Sequence, residues 1–374
     1  MKNIYNSDVF NWAISQSDRP FEDVKKRFPK IETWKEGVQE PTVKQLKNLS
    51  RYLHVPFGSF FLYEVPKEDS FMVEYRTIQN KTVKDMSRDL KEVILDVTFK
   101  QDWMSEYRKK NGFDSFHTMN ELKQKSPLKI AETLFEILNL EPGWNLKEKS
   151  PKDVFDKLRD IIENNLQVVV MGNGQVKNNT KRQLDTQEFR AFALYDIYAP
   201  FIFINTKDAR TGMVFSLIHE LIHILMGEDD LATSYDALSQ EQRINAAVAN
   251  FLMPKKVIDN LNQSTWDIEK VKKYAKEFNI SSHAFAIRLV NLGYVDQDLV
   301  AYITSENEKI LEVKRKDTSG GPDFSVLKKY RMGNKFTETV ILAAESGSIL
   351  HRDAFKLLGV KSKIYDKLKQ EVGL

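Results

Sequence analysis

The first 66 residues carry apolar side chains at the three- and four-residue spacing that is typical of short amphipathic helices. Pro41 followed by Thr42 indicates the start of one helix, and Val55-Pro56 indicates its end. Gly37 marks the end of the helix before it. The pattern predicts four or five short helices, followed by a polar linker at 65–70. We therefore expect a separate all-α domain over residues 1–66.

Two periodicities alternate in residues 71–300, which we expect to form the second domain. Helical spacing predicts helices over 83–110, 128–140, 151–164, 211–226, 239–252, 266–277 and 282–292. Three runs of β-branched and aromatic residues, at 168–171, 189–194 and 201–204, predict strands. The expected fold class of the middle section is therefore α+β, with a small sheet among helices.

A third section, 318–374, begins at the breaker sequence Ser319-Gly-Gly-Pro322. Its last apolar residues predict two short helices about a turn. From Lys314 to the end, thirteen Lys or Arg residues stand against seven Asp or Glu residues. We expect a small, basic, helical C-terminal domain.

Composition excludes several classes of site. The 374 residues contain no cysteine, so disulfides, thiolate zinc sites and cysteine nucleophiles are all absent. The 56 Lys and Arg residues nearly balance 53 Asp and Glu residues, and a net charge of +3 does not indicate a nucleic-acid coat protein. No apolar run approaches membrane-spanning length, and the first twenty residues are polar, so we expect a cytoplasmic protein with no membrane contact.

One predicted helix carries candidate chemistry. Residues 213–226 are almost all apolar, but Ser216, His219, Glu220 and His223 interrupt them at intervals that place all four in one stripe. Burying unpartnered polar groups costs about 1–3 kcal/mol each, so something must satisfy this stripe. A divalent metal held by His219 and His223, with Glu220 as general base, matches the H-E-x-x-H metalloprotease motif. Two other interpretations remain open: a pair of hydrogen-bonded core histidines, and a metal site without catalysis.

A catalytic zinc ion usually has three protein ligands. The best third candidate is Glu241, which opens the next helix, and Asn245 lies one turn further along the same face, where an amide can support a ligating histidine. Asp229 is a rival third ligand, six residues after His223. The chain turn that such a ligand needs requires a glycine where this sequence has Met226.

These residues together resemble the ImmA/IrrE family of metallo-endopeptidases. The resemblance lies in His219-Glu-Leu-Ile-His223, in Glu241-x-x-x-Asn245 with the ending Phe-Leu-Met-Pro254, and in the lead-in over 189–205. The N-terminal section, with Trp34-x-x-Gly37, Pro41-Thr42 and Gln45-Leu46, is similar to the Cro/repressor helix-turn-helix module that is often fused to this family. The sequence departs from the family pattern at Ile222, Ile244 and Val248, where smaller residues are usual.

The resemblance implies a zincin-like fold and a single Zn²⁺ bound by His219, His223 and Glu241, with Glu220 as the catalytic base. It also implies cleavage of a regulatory protein, such as a repressor or an antitoxin, in a mobile-element, toxin–antitoxin or stress-response system. We expect the substrate to extend along a sheet edge, for which 189–194 is the best candidate. The sequence does not identify an oxyanion-stabilising residue: Tyr195, Tyr198, Tyr235 and His283 are each more typical of structural positions.

Two other functions remain open. The chain could be a DNA-binding transcriptional regulator or antitoxin whose peptidase-like domain binds a partner without cleaving it, or a phage-defence effector that is switched on by release of its own terminal domain. The intact Glu220 favours the peptidase. Residues 1–66 carry ten Lys or Arg against eight Asp or Glu, a balance that leaves contact with DNA and contact with a protein partner equally open.

Overall fold

A computed structural model describes residues 7–65 (except Gln16, Asp18, His54 and Pro56), 86–227, 237–314 (except Asn262) and 331–373. The chain divides into two compact units. The first extends to Glu92 and the second begins at Val93, except that three residues before Glu92 are assigned to the second unit. The helices of the first part are α1 Ser7–Ser15, α2 Phe21–Arg27, α3 Ile31–Lys35 and α4 Val43–Leu53, followed by a 3₁₀ helix Phe57–Phe61. The long helix α5, Arg88–Lys110, comes next.

The remaining elements belong to the second unit. Its helices before the sheet are α6 Pro127–Leu138 and α7 Pro151–Asn165, with 3₁₀ helices at Asn120–Gln124 and Trp144–Lys147. The strands are β1 Val169–Asn173, β2 Ala191–Leu194 and β3 Phe201–Asn205. After them come α8 Arg210–Met226, α9 Ala237–Leu252, α10 Lys255–Asp259, α11 Ile268–Glu277, α12 Ser282–Asn291, α13 Gln297–Lys314, α14 Asn334–Glu345, α15 His351–Leu357 and α16 Ser362–Val372.

The first unit packs its short helices around a small core. The buried residues of this core include Phe10, Ile31, Trp34, Leu49 and Phe60. A capping box begins α4: the Gln45 N–H donates to Thr42 Oγ1 at 3.3 Å, and the Thr42 N–H donates to Gln45 Oε1 at 2.8 Å. The predicted helix start at Thr42 is therefore confirmed.

A three-stranded mixed sheet lies in the second unit in the order β1–β3–β2, with β1 parallel and β2 antiparallel to β3. The described residues are mostly helical, so the predicted α+β class is confirmed. Several predicted element boundaries differ from the structure, and two of the differences have a local cause. The 189–194 strand begins at Ala191, because the Phe189 N–H closes a turn on the Asp185 carbonyl at 3.3 Å. The 83–110 helix begins at Arg88, after Ser87 Oγ accepts from the Leu90 N–H, and residues 83–85 lie outside the described residues.

The sheet is covered on both faces. Alternate strand residues, among them Val170, Ala193 and Ile202, join the large core that contains α8. The intervening residues form the other face, where the Phe201 ring lies 5.8 Å from the ring of Phe336 in α14. The C-terminal helices therefore belong to the packing of the sheet.

A buried carboxylate fastens α14 to this layer. Glu163 of α7 accepts hydrogen bonds from the backbone N–H groups of Val170 at 3.3 Å, Asn334 at 3.1 Å and Lys335 at 3.4 Å. Arg159 Nε lies 3.4 Å from the same side chain, and both residues are buried. One carboxyl group thus joins a helix, a strand and the first turn of α14. The dipole of α14 stabilises negative charge at this end of the helix.

Among the residues that the structure describes, no helix is both long enough and apolar enough to span a membrane. This finding agrees with the hydropathy of the sequence.

Gly333 stands where a side chain cannot fit. Its backbone has φ +80°, and a Cβ atom there would lie 2.8 Å from Glu163 Oε1 and 3.2 Å from the Val170 carbonyl oxygen. We predict that Gly333→Ala lowers the free energy of unfolding by about 2–5 kcal/mol, because it adds overpacking to the strain of the backbone. Gly347 is the matched control, since it has φ +75° with open space around it. Gly347→Ala is expected to cost only about 1–2 kcal/mol. Equal losses for the two variants, measured by calorimetry on the full chain, would contradict this account.

Candidate metal centre

The helix that carries the candidate site is buried on most sides because most of its side chains are apolar. α8 ends at Gly227, whose φ of +65° gives the left-handed cap that closes many helices. Within the polar stripe, Glu220 and His223 are buried, whereas Ser216 and His219 are half-buried. The stripe is therefore more accessible to solvent at Ser216 than at His223.

α9 brings a carboxylate to this stripe. Glu241 Oε2 lies 3.1 Å from His219 Nε2, and Glu241 Oε1 lies 3.2 Å from His223 Nε2. The two histidine Nε2 atoms are 3.2 Å apart. The structure thus brings together the three residues that the sequence selected, and their candidate ligand atoms all lie within 4.8 Å of one another. The rival ligand Asp229 lies outside the described residues.

The spacing of these atoms fits a metal ion. Ligand atoms at about 2.0–2.1 Å around one tetrahedral ion are about 3.3 Å from one another. The three separations of 3.1–3.2 Å are therefore close to those of three corners of a coordination tetrahedron. A half-exposed Glu241 leaves one side of the group accessible, so a fourth ligand such as water has a direction from which to approach. His219, His223 and Glu241 are placed to bind a metal ion.

Asn245 supports His219 from behind. Its Oδ1 lies 3.1 Å from His219 Nδ1, one turn after Glu241 on α9. An Nδ1–H that donates to this amide oxygen leaves the lone pair of Nε2 directed at the other two ligands. The predicted supporting role of Asn245 therefore has the required contact.

The charge of Glu241 is stabilised by the two rings. Burial raises the pKa of the Glu241 carboxyl, but hydrogen bonding to His219 and His223 and the charges of these residues outweigh burial. The net effect is a pKa well below the usual range of a glutamate. Glu241 is therefore held as a carboxylate, which is the form that ligates a metal.

Glu220 follows His219 directly and lies outside the three-ligand group. Its side chain is only 7% exposed. A second neighbour, Phe215, was not selected from the sequence: its ring stacks on the His219 ring with centroids 6.4 Å apart. The four-residue spacing of the two on one helix is the signal that could have identified it.

The bulky departures from the family pattern fill the core behind the site. Ile222, Ile244 and Val248 are all fully buried in the cluster that α8 and α9 share. The three ligand atoms nevertheless lie within reach of one ion, so the extra methyl groups are compatible with the site.

The oxyanion candidates divide into three groups. His283 Nδ1 lies 3.0 Å from Thr304 Oγ1, so this ring joins α12 to α13. Tyr195 is partly buried against the main core, and the Tyr198 carbonyl accepts from Arg108 at 2.7 Å. Tyr235 lies outside the described residues. None of these contacts places a hydroxyl or ring N–H at the metal centre.

Comparison with known families agrees with this geometry. Residues 165–290 match the model of the IrrE N-terminal-like domain, a peptidase family (M78), and the match contains all four candidate site residues. Residues 332–371 match a domain of unknown function, DUF8813. No curated protein and no solved structure matches the chain. The first match supports the similarity to the ImmA/IrrE family and a metallopeptidase-like function. Neither match covers residues 1–66, so the helix-turn-helix module there stays a prediction.

The hydrogen bond behind His219 can be tested by metal affinity. We predict that Asn245→Ala weakens zinc binding about 10–100-fold, because His219 loses the group that orients it. Gln242→Ala is the control, since Gln242 is an exposed neighbour on the same helix outside the ligand group. A competition titration against a chromophoric chelator measures both affinities. Unchanged affinity in Asn245→Ala would remove this residue from the site.

Proposed function

We propose that the protein is a zinc-dependent endopeptidase that cleaves a regulatory protein. The single observation that carries the proposal is the group of two imidazole nitrogens and one carboxylate with mutual separations of 3.1–3.2 Å, beside a buried glutamate. A pair of hydrogen-bonded core histidines does not require three donor groups at the spacing of a coordination tetrahedron, whereas here both Nε2 atoms and the carboxylate have that spacing.

The donor set favours zinc. Two imidazoles and one carboxylate on adjacent helices are the ligands of a His₂Glu catalytic zinc site, whereas magnesium and calcium prefer oxygen donors. When bound, zinc would polarise the scissile carbonyl and lower the pKa of a bound water to about 7.

The protein's own side chains complete the reaction. Glu220 takes a proton from the attacking water and delivers it to the leaving amine as the peptide bond breaks. Its burial beside the ligands excludes bulk water, which strengthens its electrostatic interactions with the reacting groups. Asn245 holds His219 in the ligating tautomer throughout.

We assign the substrate backbone to the outer side of β2. β2 is an outer strand of the sheet, paired on one side with β3, and Ala191 and Ala193 join the core that contains α8. The Asn205 N–H donates to the Arg190 carbonyl, so the alternation of an antiparallel pair turns the backbone groups of Ala191 and Ala193 away from β3. An extended peptide pairing with those groups would run beside the metal helix.

The substrate class follows from the family resemblance: a repressor or an antitoxin of a mobile-element, toxin–antitoxin or stress-response system. Residues 1–66 would bring the enzyme to DNA or to a partner protein. Two of their cations are already engaged, since Lys25 pairs with Glu32 at 2.8 Å and Lys26 with Asp23 at 3.6 Å. These exposed pairs leave both roles of the first unit open.

The proton-transfer role predicts the behaviour of Glu220→Gln. The variant should keep one zinc per chain, because its ligands are intact, while peptide cleavage falls by at least about a hundredfold. Metal analysis and a cleavage assay on the same preparation measure the two properties. Glu136→Gln, at an exposed position on α6, is the control and should retain both. Cleavage retained by Glu220→Gln would end this mechanism.

The substrate can be sought by trapping. We predict that Glu220→Gln co-purifies with a regulator encoded by a neighbouring gene, and that the zinc-loaded wild-type protein cuts the same regulator at one site. Mass spectrometry of the products identifies the bond. A regulator that binds both proteins and stays whole would favour the alternative, a partner-binding protein that does not cleave.

A further inference from the structure

The last two helices form a helix-turn-helix. α15 and α16 are separated by four residues, 358–361, and Gly359 takes a φ of +59° in this turn. The inward residues follow the spacing of that motif and are all buried: Ala354, Leu358, Val360, Tyr365 and Leu368. Two short helices joined by a tight glycine turn are the supersecondary unit from which many DNA-binding domains are built.

The unit is held in one arrangement by α14. The Tyr365 hydroxyl donates to Glu345 Oε1 at 3.0 Å, and Lys369 also pairs with this carboxylate. The Tyr365 ring packs edge-on against Phe355 of α15 with centroids 5.2 Å apart. α16 is therefore fixed against both preceding helices, so its outward face has a defined direction.

That outward face is basic. Lys361, Lys363 and Lys367 are exposed, and none has a carboxylate within ion-pair distance among the residues that the structure describes. Lys356 differs, because it lies over the Phe99 ring. Two acidic residues of α16, Asp366 and Glu371, are also exposed, and both lie after its first turn. The first turn of α16 and the turn before it therefore present a concentrated positive charge.

A neighbouring loop adds cations beside the turn. Residues 174–183 form a hairpin-like loop closed by an antiparallel bridge between Gln175 and Gln183. Asn178 at its tip donates to the Gly359 carbonyl at 3.2 Å, which fixes the loop against the α15–α16 turn. Lys177 and Lys181 lie exposed on the same loop. Two separate elements thus present lysines around one point.

A second pair of helices shows that the fold does not require these charges. α11 and α12 are also joined by four residues, 278–281, with Asn279 at φ +58°. The sole Lys or Arg of α12 is Arg288, and it turns inward to donate to the Met253 carbonyl at 3.0 Å and to Asn250 Oδ1 at 2.6 Å. The lysines of α16 are therefore a property of that helix and not of the motif.

We infer that α16 and the 174–183 loop form a contact surface for double-stranded DNA, with the N-terminal turn of α16 as the element that enters the major groove. A helix of about 10–12 Å diameter matches a groove about 12 Å wide. The lysines at 361, 363 and 367 then lie along the phosphates and groove edges. A lipid surface fits less well, because Tyr365 and Leu368 are buried and α16 presents no apolar face to insert.

The experiment compares two charge-matched variants of the full, zinc-loaded chain. Lys363→Gln with Lys367→Gln removes two charges from α16, and Lys273→Gln with Lys276→Gln removes two from the exposed side of α11. Binding to a fluorescent DNA duplex of mixed sequence is measured over a range of salt concentrations. The α16 variant is expected to bind about tenfold or more weakly, with a log–log salt slope smaller by about 2. The α11 variant should match wild type.

Removal of the loop lysines, by Lys177→Gln with Lys181→Gln, should weaken DNA binding in the same direction. Circular dichroism spectra confirm that each variant is folded. Three results would overturn the inference: no binding of the duplex by wild type, equal affinities of the α16 and α11 variants, or loss of binding to phosphatidylglycerol vesicles by the α16 variant with DNA binding unchanged. DNA binding and peptide cleavage are measured separately, so failure of one leaves the other standing.

Discussion

The candidate site depends on one interaction: two imidazoles on a mostly buried helix contact a carboxylate that must come from outside that helix. Glu241 meets this demand from the neighbouring helix, and both Nε2 atoms point at it from about the same distance. Three donors that converge on one point are placed to bind a cation. The alanines and branched side chains that pack α9 against the core therefore serve the position of one carboxylate as well as the stability of the fold.

Much of this arrangement could be predicted, because the helical spacing of the polar residues and their ability to bind a metal indicate the same site. The polar stripe at 216, 219, 220 and 223 stands out from an apolar helix, and Glu241 precedes Asn245 by one turn, so a ligand and its support could be placed on one face. Helix ends were less predictable, because Ser87 and Asp267 begin their helices through local side-chain hydrogen bonds that spacing does not reveal. The position of Glu241 beside both histidines depends on the distance between two helices, which no local pattern contains.

The contacts that cover the second face of the sheet could not be predicted from the sequence. Phe336 reads as an ordinary core residue, and nothing in its neighbourhood indicates contact with Phe201 more than a hundred residues earlier. The contacts of Glu163 could not be predicted either, since its three backbone donors lie in β1 and at the start of α14. Long-range contacts of this kind are set by topology, and a single sequence records only that the residues are apolar or charged.

The shared carboxylate of Glu163 has a consequence for how the protein can be divided. A fragment ending before Gly333 would keep all three candidate ligands, yet it would leave Glu163 without two of its three backbone donors and would expose the aromatic face of the sheet to water. We therefore expect such a fragment to be less stable than the full chain, even though it contains the whole candidate metal centre. The C-terminal helices thus contribute to the stability of the sheet on whose other face the metal-centre helix packs.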